Sequence, residues 1–79
     1  MKKNTLIEIE WEDIVSDSAW LIEEVAVKEP LTQCKSVGYF LNKTKEVIRL
    51  SSSIQLGKDS ERDVIVIPLG VVKKIRRLK

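Results

Sequence analysis

Residues 5–11 alternate: Ile7, Ile9 and Trp11 fall on one side of an extended chain, Glu8 and Glu10 on the other. A period of two sends successive side chains to opposite faces, so this segment reads as a half-buried strand with a charged outer face. One strand cannot bury its apolar face alone, and 79 residues leave room for one core only. A chain of this size buries about 60–65% of the surface its unfolded form exposes and has little stability to spare. The expectation is a single small domain, residues 1–79.

Nothing covalent reinforces that core. Cys34 is the only cysteine and there is no histidine, which excludes an intrachain disulfide and the usual zinc sets of four Cys and His ligands. Stability must come from the core or from a partner. Hydrophobic residues at 43% and charged residues at 33% fit a folded chain rather than a disordered one. The longest uncharged apolar run, residues 64–72, contains Pro68 and Gly70 and falls far short of the roughly 20 residues of a membrane helix. Met1-Lys2-Lys3-Asn4-Thr5 leads straight into the alternating strand, without the apolar region of a signal peptide. A cytoplasmic protein with no membrane contact and no cofactor is expected.

The rest of the chain continues the β reading. Residues 12–18, with Asp13, Ser16, Asp17 and Ser18, read as an acidic polar loop. Residues 20–27 suit either a strand through Trp20 and Ile22 or a helical turn or two ending before Pro30; a short helix is adopted. Residues 32–42 form the next strand, with Val37, Tyr39 and Leu41 on one face and Cys34, Ser36, Gly38 and Phe40 on the other. Both faces look partly covered, and Gly38 suggests a bend or bulge. A polar turn at 42–45 leads into residues 46–51, where Ile48 and Leu50 face inward, making a hairpin. Residues 51–63 are the most loop-like stretch and the place where disorder is expected. Residues 63–67 are β-branched, and residues 71–78 close the fold.

The ending Ile67-Pro68-Leu69-Gly70-Val71-Val72-Lys73-Lys74-Ile75 has the spacing I-P-x-x-x-V-x-x-I. It resembles the end of SH3-type barrels, where a strand runs into a proline-led 3₁₀ turn before the last strand. Proline fixes φ and needs no donor, and Val72 and Ile75 can both face the core across the turn-to-strand transition. The competing reading is an amphipathic helix through Leu69, Val72, Ile75 and Leu78, which Gly70 and the β-branched residues weaken. The fold class expected is mostly β: a small SH3-like barrel of about five strands with one short helix or helical turn.

A wider pattern joins Trp11-Glu12-Asp13-Ile14, Ser16, Asp17, Trp20, Pro30, Cys34-Lys35-Ser36-Val37-Gly38-Tyr39-Phe40-Leu41 and the Ile-Pro ending. It resembles small proteins of unknown function encoded by phages and prophages. The resemblance covers most of the chain and implies an accessory protein, with no known activity to carry over. It does not extend to polyproline binding, since the few aromatic residues are mostly needed for the core.

Candidate sites follow from charge and large apolar residues. Without histidine there is no general base of ordinary neutral pKa, Cys34 has no His partner, and no serine sits in a G-x-S-x-G turn. Carboxylate pairs such as Glu10 with Glu12, or Asp13 with Asp17, read as solvated charges. The chain is expected not to be an enzyme. Charge is split: residues 1–30 hold three Lys against eight Asp or Glu, net −5, and residues 31–79 hold eleven Lys or Arg against four acids, net +7. The split reads either as opposite charges meeting across neighbouring strands or as an acidic end and a basic binding surface. Trp20 fits a core position or an exposed anchor; with Glu12, Asp13 and Asp17 it would make an apolar anchor rimmed by negative charge, suited to a protein partner. Lys73, Lys74, Arg76, Arg77 and Lys79 form a basic last strand. It is either a solvated edge that resists aggregation or, through Lys73, Lys74, Arg76 and Arg77, a nucleic-acid-binding surface. A protein-binding module is the leading expectation and a small nucleic-acid-binding barrel the alternative; a homo-oligomer is left open.

Overall fold

In the computed structural model, which describes residues 1–14, 16 and 18–78, the period-two segments become strands of one antiparallel sheet. The elements are β1 (Leu6–Asp13), α1 (Glu23–Ala26), β2 (Thr32–Lys43), β3 (Val47–Ser51), β4 (Ile65–Pro68), a 3₁₀ turn (Leu69–Val71) and β5 (Val72–Arg77). The strand order is β4-β3-β2-β1-β5, so the last strand lies beside the first. The chain is mostly β, with the five strands and the proline-led 3₁₀ turn expected of a small SH3-like barrel. No helix among the described residues is long and apolar enough to cross a membrane.

The core is built by alternation. Ile7 and Ile9 of β1, Phe40 of β2, Ile48 and Leu50 of β3 and Ile67 of β4 are buried together. Trp11, Leu69, Val71, Val72 and Ile75 pack around them, half-buried. Each fully buried aliphatic side chain stabilises the fold by about 1.5–3 kcal/mol. The spacing of Val72 and Ile75 has a specific cause. A regular strand would place residues three apart on opposite faces, but β5 carries a bulge: Glu10 pairs with Lys74 and Trp11 with Val72, skipping Lys73. The extra residue brings both apolar side chains to the core face.

β2 corrects the sequence reading. Its two faces are not equally covered: Phe40 and Gly38 are buried, whereas Val37 and Tyr39 on the opposite face are exposed. Gly38 is not a bulge either. The irregularity in the β2–β3 ladder lies at Leu41, between the pairs Phe40↔Leu50 and Asn42↔Arg49. Glycine is needed at 38 for clearance, because a Cβ there would stand 2.7 Å from the carbonyl oxygen of Ser51 and 2.9 Å from Cδ1 of Leu50.

The long β3–β4 connection is tied rather than structureless. The Asp63 carboxylate accepts the backbone N–H of Ser52 at 2.8 Å and of Ser53 at 3.0 Å, and the Ser52 hydroxyl. Ile54 and Arg62 form a bridge across the loop, and Gln55 N–H donates to the Glu61 carbonyl at 2.7 Å. Arg62 donates to Asn4 Oδ1 at 2.9 Å, fastening the loop to the N-terminal turn.

The molecule is long for its size. Its radius of gyration is 16.3 Å and its extents are 56 × 24 × 21 Å, against about 12 Å expected for a compact chain of this length. The excess lies in the β1–β2 hairpin: from Asp13 to Gln33 every described residue is exposed. The helix expected at 20–27 is a single turn within this segment, with Val27 N–H donating to the Glu23 carbonyl at 3.0 Å and no buried residue.

Candidate functional site

Two surfaces carry the residues singled out by sequence. The first is the arm formed by the described residues of 14–31, which leaves the sheet after the terminal pair Asp13↔Thr32. Glu23 and Glu24 sit in the first turn of α1, where the partial positive charge of the helix start favours them. Trp20 precedes that turn and is fully exposed, which decides between its two readings: it is not a core residue. It is accompanied by Ile14, 82% exposed, Val27, 74%, and Ile22, 69%, with Val25 and Leu31 about half exposed. Asp13 closes β1, its Oδ1 accepting the N–H of Ile14 at 2.9 Å. Asp17 lies outside the described residues.

Trp11, by contrast, is anchored. Its indole N–H donates to Ser36 Oγ at 3.0 Å and its ring packs against the core. The two tryptophans, nine positions apart, thus have opposite fates: one closes the end of the barrel and the other stands in solvent.

The second surface is the outer face of β5-β1-β2. Here the charge split of the sequence resolves into pairs. Arg76 Nη2 meets Glu8 Oε1 at 3.0 Å, Lys35 Nζ lies 3.8 Å from Glu10 Oε1, and Lys73 Nζ lies 3.8 Å from Glu12 Oε2. Gln33 Nε2 donates to the same Glu12 oxygen at 2.8 Å. The acidic stripe of β1 therefore lies between basic residues on both sides, each pair worth up to about 1 kcal/mol at such an exposed site. The β5 bulge is what frees Lys73 from the regular ladder. No protein-family model, curated protein or solved structure matches the chain.

These geometries separate the residues grouped by sequence. Glu12 is engaged by Lys73 and Gln33 in the strand ladder, while Asp13 stands at the root of the arm. Of the four basic candidates, Lys73 and Arg76 are paired; no carboxylate among the described residues lies within ion-pair distance of Lys74 or Arg77. Lys79 lies outside the described residues. Cys34 is half-buried opposite Trp11, in a shallow polar cleft with Glu10, Gln33, Lys35 and Lys73.

Sequence reasoning missed the apolar company of Trp20. Ile14, Ile22, Val25, Val27 and Leu31 follow neither a period of two nor a sustained helical period. The signal was the want of a sustained period across residues 14–31, which leaves these apolar side chains no shared face to turn to a core.

Proposed function

We propose that this chain is a non-enzymatic protein-binding module of the accessory kind that phages and prophages encode, with the arm as its binding element and Trp20 as the anchor. The observation that carries the reading is the full exposure of Trp20 within an arm that gives nothing to the core. So many exposed apolar side chains in one short arm are unfavourable in water unless a partner covers them, and tryptophan is among the residues enriched at interface hot spots. Charge narrows the partner. Residues 13–31 hold Asp13, Asp17, Glu23, Glu24 and Glu29 against Lys28 alone. The complement is a protein surface with an apolar pocket rimmed by Lys and Arg. Rim charges steer the encounter and set the on-rate, whereas Trp20 in its pocket sets the off-rate. The phage attribution rests on the sequence resemblance.

Binding of nucleic acid through β5 has weaker support, because Lys73 and Arg76 already neutralise Glu12 and Glu8. The deciding experiment is parallel capture from a host lysate, with and without nuclease, by the native chain, Trp20→Ala, and Asp13→Lys with Asp17→Lys. The reading expects a nuclease-resistant partner, lost with Trp20→Ala and captured more slowly by the charge-reversed variant. Equal capture by Trp20→Ala would overturn it.

A further inference from the structure

The sheet has two edges, and the sequence treats them differently. β5 carries Lys73, Lys74, Arg76 and Arg77, the kind of charged edge that resists pairing with other chains. β4 carries no charge; what limits pairing there is its four-residue length and Pro68. Residues 64–67 read Val-Ile-Val-Ile, with Val64 51%, Ile65 36% and Val66 48% exposed.

The register determines which backbone groups meet solvent there. Leu69 N–H donates to the Glu46 carbonyl at 2.8 Å, one step beyond the pair Val47↔Pro68 and in the same register. Antiparallel pairs alternate between exchanging hydrogen bonds and turning their groups away. Ile67 and Ile65 therefore bond to β3, while Val64, Val66 and Pro68 turn their backbone groups to the free edge. Two further facts agree. The Val47 carbonyl, opposite Pro68, accepts Thr44 N–H at 2.8 Å on the far side of β3. Pro68 occupies an outward position, where its missing N–H costs the sheet nothing.

We propose that β4 is a self-pairing edge: two copies of this chain join β4 to β4, antiparallel, about a two-fold axis at Ile65. Only outward-facing residues can exchange bonds across the new seam. With the axis at Ile65, Val64 of each copy meets Val66 of the other, and every N–H and C=O that these valines present is satisfied. Ile65 then meets its own equivalent, Asp63 falls opposite Ile67 and Arg62 opposite Pro68, so no like charges oppose each other. This self-complementarity is what a two-fold interface requires. An uncharged four-residue edge offers a foreign strand no charge pattern to read, so the second copy is the better occupant. The seam is distant in the sheet order from the β1–β2 arm, and the dimer presents two Trp20 anchors, which gains avidity for a partner with repeated sites.

Sedimentation equilibrium of the full chain from about 1 µM to about 1 mM, a range that brackets a weak small interface, tests this. A reversible monomer–dimer equilibrium is expected. Val66→Lys and Val66→Pro, the latter removing an outward N–H that the ladder with β3 does not use, should each weaken it at least tenfold with unchanged circular dichroism, while Val37→Lys should leave it intact. Amide exchange at Val64 and Val66 should slow as concentration rises. A chain that stays monomeric to about 1 mM, or a dimer indifferent to both Val66 variants, overturns the proposal; so does a foreign peptide bound at this edge of a monomeric chain.

Discussion

The indole N–H of Trp11 is held by the hydroxyl of Ser36 at 3.0 Å, across the pair of strands whose far end carries the unheld indole of Trp20. A half-buried, hydrogen-bonded ring and a solvated one contribute differently to stability. Trp11→Ala should destabilise the fold by about 3 kcal/mol through lost burial and packing. Trp20→Ala should change it by no more than about 0.5 kcal/mol. Thermal unfolding measures both, and tryptophan fluorescence assigns them: Trp20→Ala should remove the long-wavelength component. A cooperative loss of fold in Trp20→Ala would place that ring in the core and remove the basis for the binding arm.

Gly38→Ala tests the close approach of β2 to the end of β3. The added methyl would meet the Ser51 carbonyl at 2.7 Å, and backbone yields less readily than the end of a side chain. Overpacking of this sort costs about 1–3 kcal/mol. An unchanged melting temperature would show that the strands have room to separate there.

Asp63 gives the β3–β4 loop a dependence on pH. The Ser52 hydroxyl and the backbone N–H groups of Ser53 and Ser52 favour the carboxylate and hold Asp63 below the usual carboxylate range. Because the folded value lies below the unfolded one, the stabilisation is complete above the unfolded pKa and is lost as pH falls through the folded value. The protection of the Ser52 and Ser53 amides, taken against the intrinsic exchange rate at each pH, should fall in acid. In Asp63→Ala that protection should be low at every pH, and acid-insensitive protection in the native chain would contradict this role.

For the basic strand, gel shifts at low salt with single- and double-stranded DNA and RNA provide the check. Paired as they are, Lys73 and Arg76 are expected to leave binding absent or lost by physiological salt. A shift that falls linearly with log salt and disappears in Lys74→Ser with Arg77→Ser would revive the nucleic-acid reading.

Replacing Val72 by Asp tests the β5 bulge. Val72 reaches the core face only because Lys73 is skipped. The carboxylate would meet apolar neighbours without a partner, and the domain should unfold. A folded, soluble Val72→Asp protein would mean that β5 is not packed in this register.

What the sequence made legible follows from how locally each feature is determined. β1, β3 and the proline-led turn were readable because alternation and Pro68 act within a few residues. The buried face of β2 was not: Val37, Tyr39 and Leu41 are together at least as apolar as Cys34, Ser36, Gly38 and Phe40. What decides is register, since Gly38 and Ser36 lie opposite Ile7 and Ile9 of β1. The charge split was visible, but its resolution into Glu8–Arg76 and Glu12–Lys73 needs β5 beside β1, a relation no local pattern contains. In the candidate site, Trp20 was identifiable by type, its exposure only from the arm's separation from the core.

The pairing of the first strand with the last also governs how the protein must be made. Glu8 and Arg76 are 68 residues apart in sequence, and Leu78 N–H donates to the Leu6 carbonyl at 2.8 Å. On the ribosome, β1 emerges well before β5, and its outer edge is covered only after residues 14–71 have followed. During that interval a nascent chain can pair β1 with β2 while Ile9 still lacks its cross-strand neighbour Ile75. Contacts this distant slow folding and leave an unpaired strand open to association. A chain that stops before Val72 should therefore yield not a weakened barrel but an aggregating fragment.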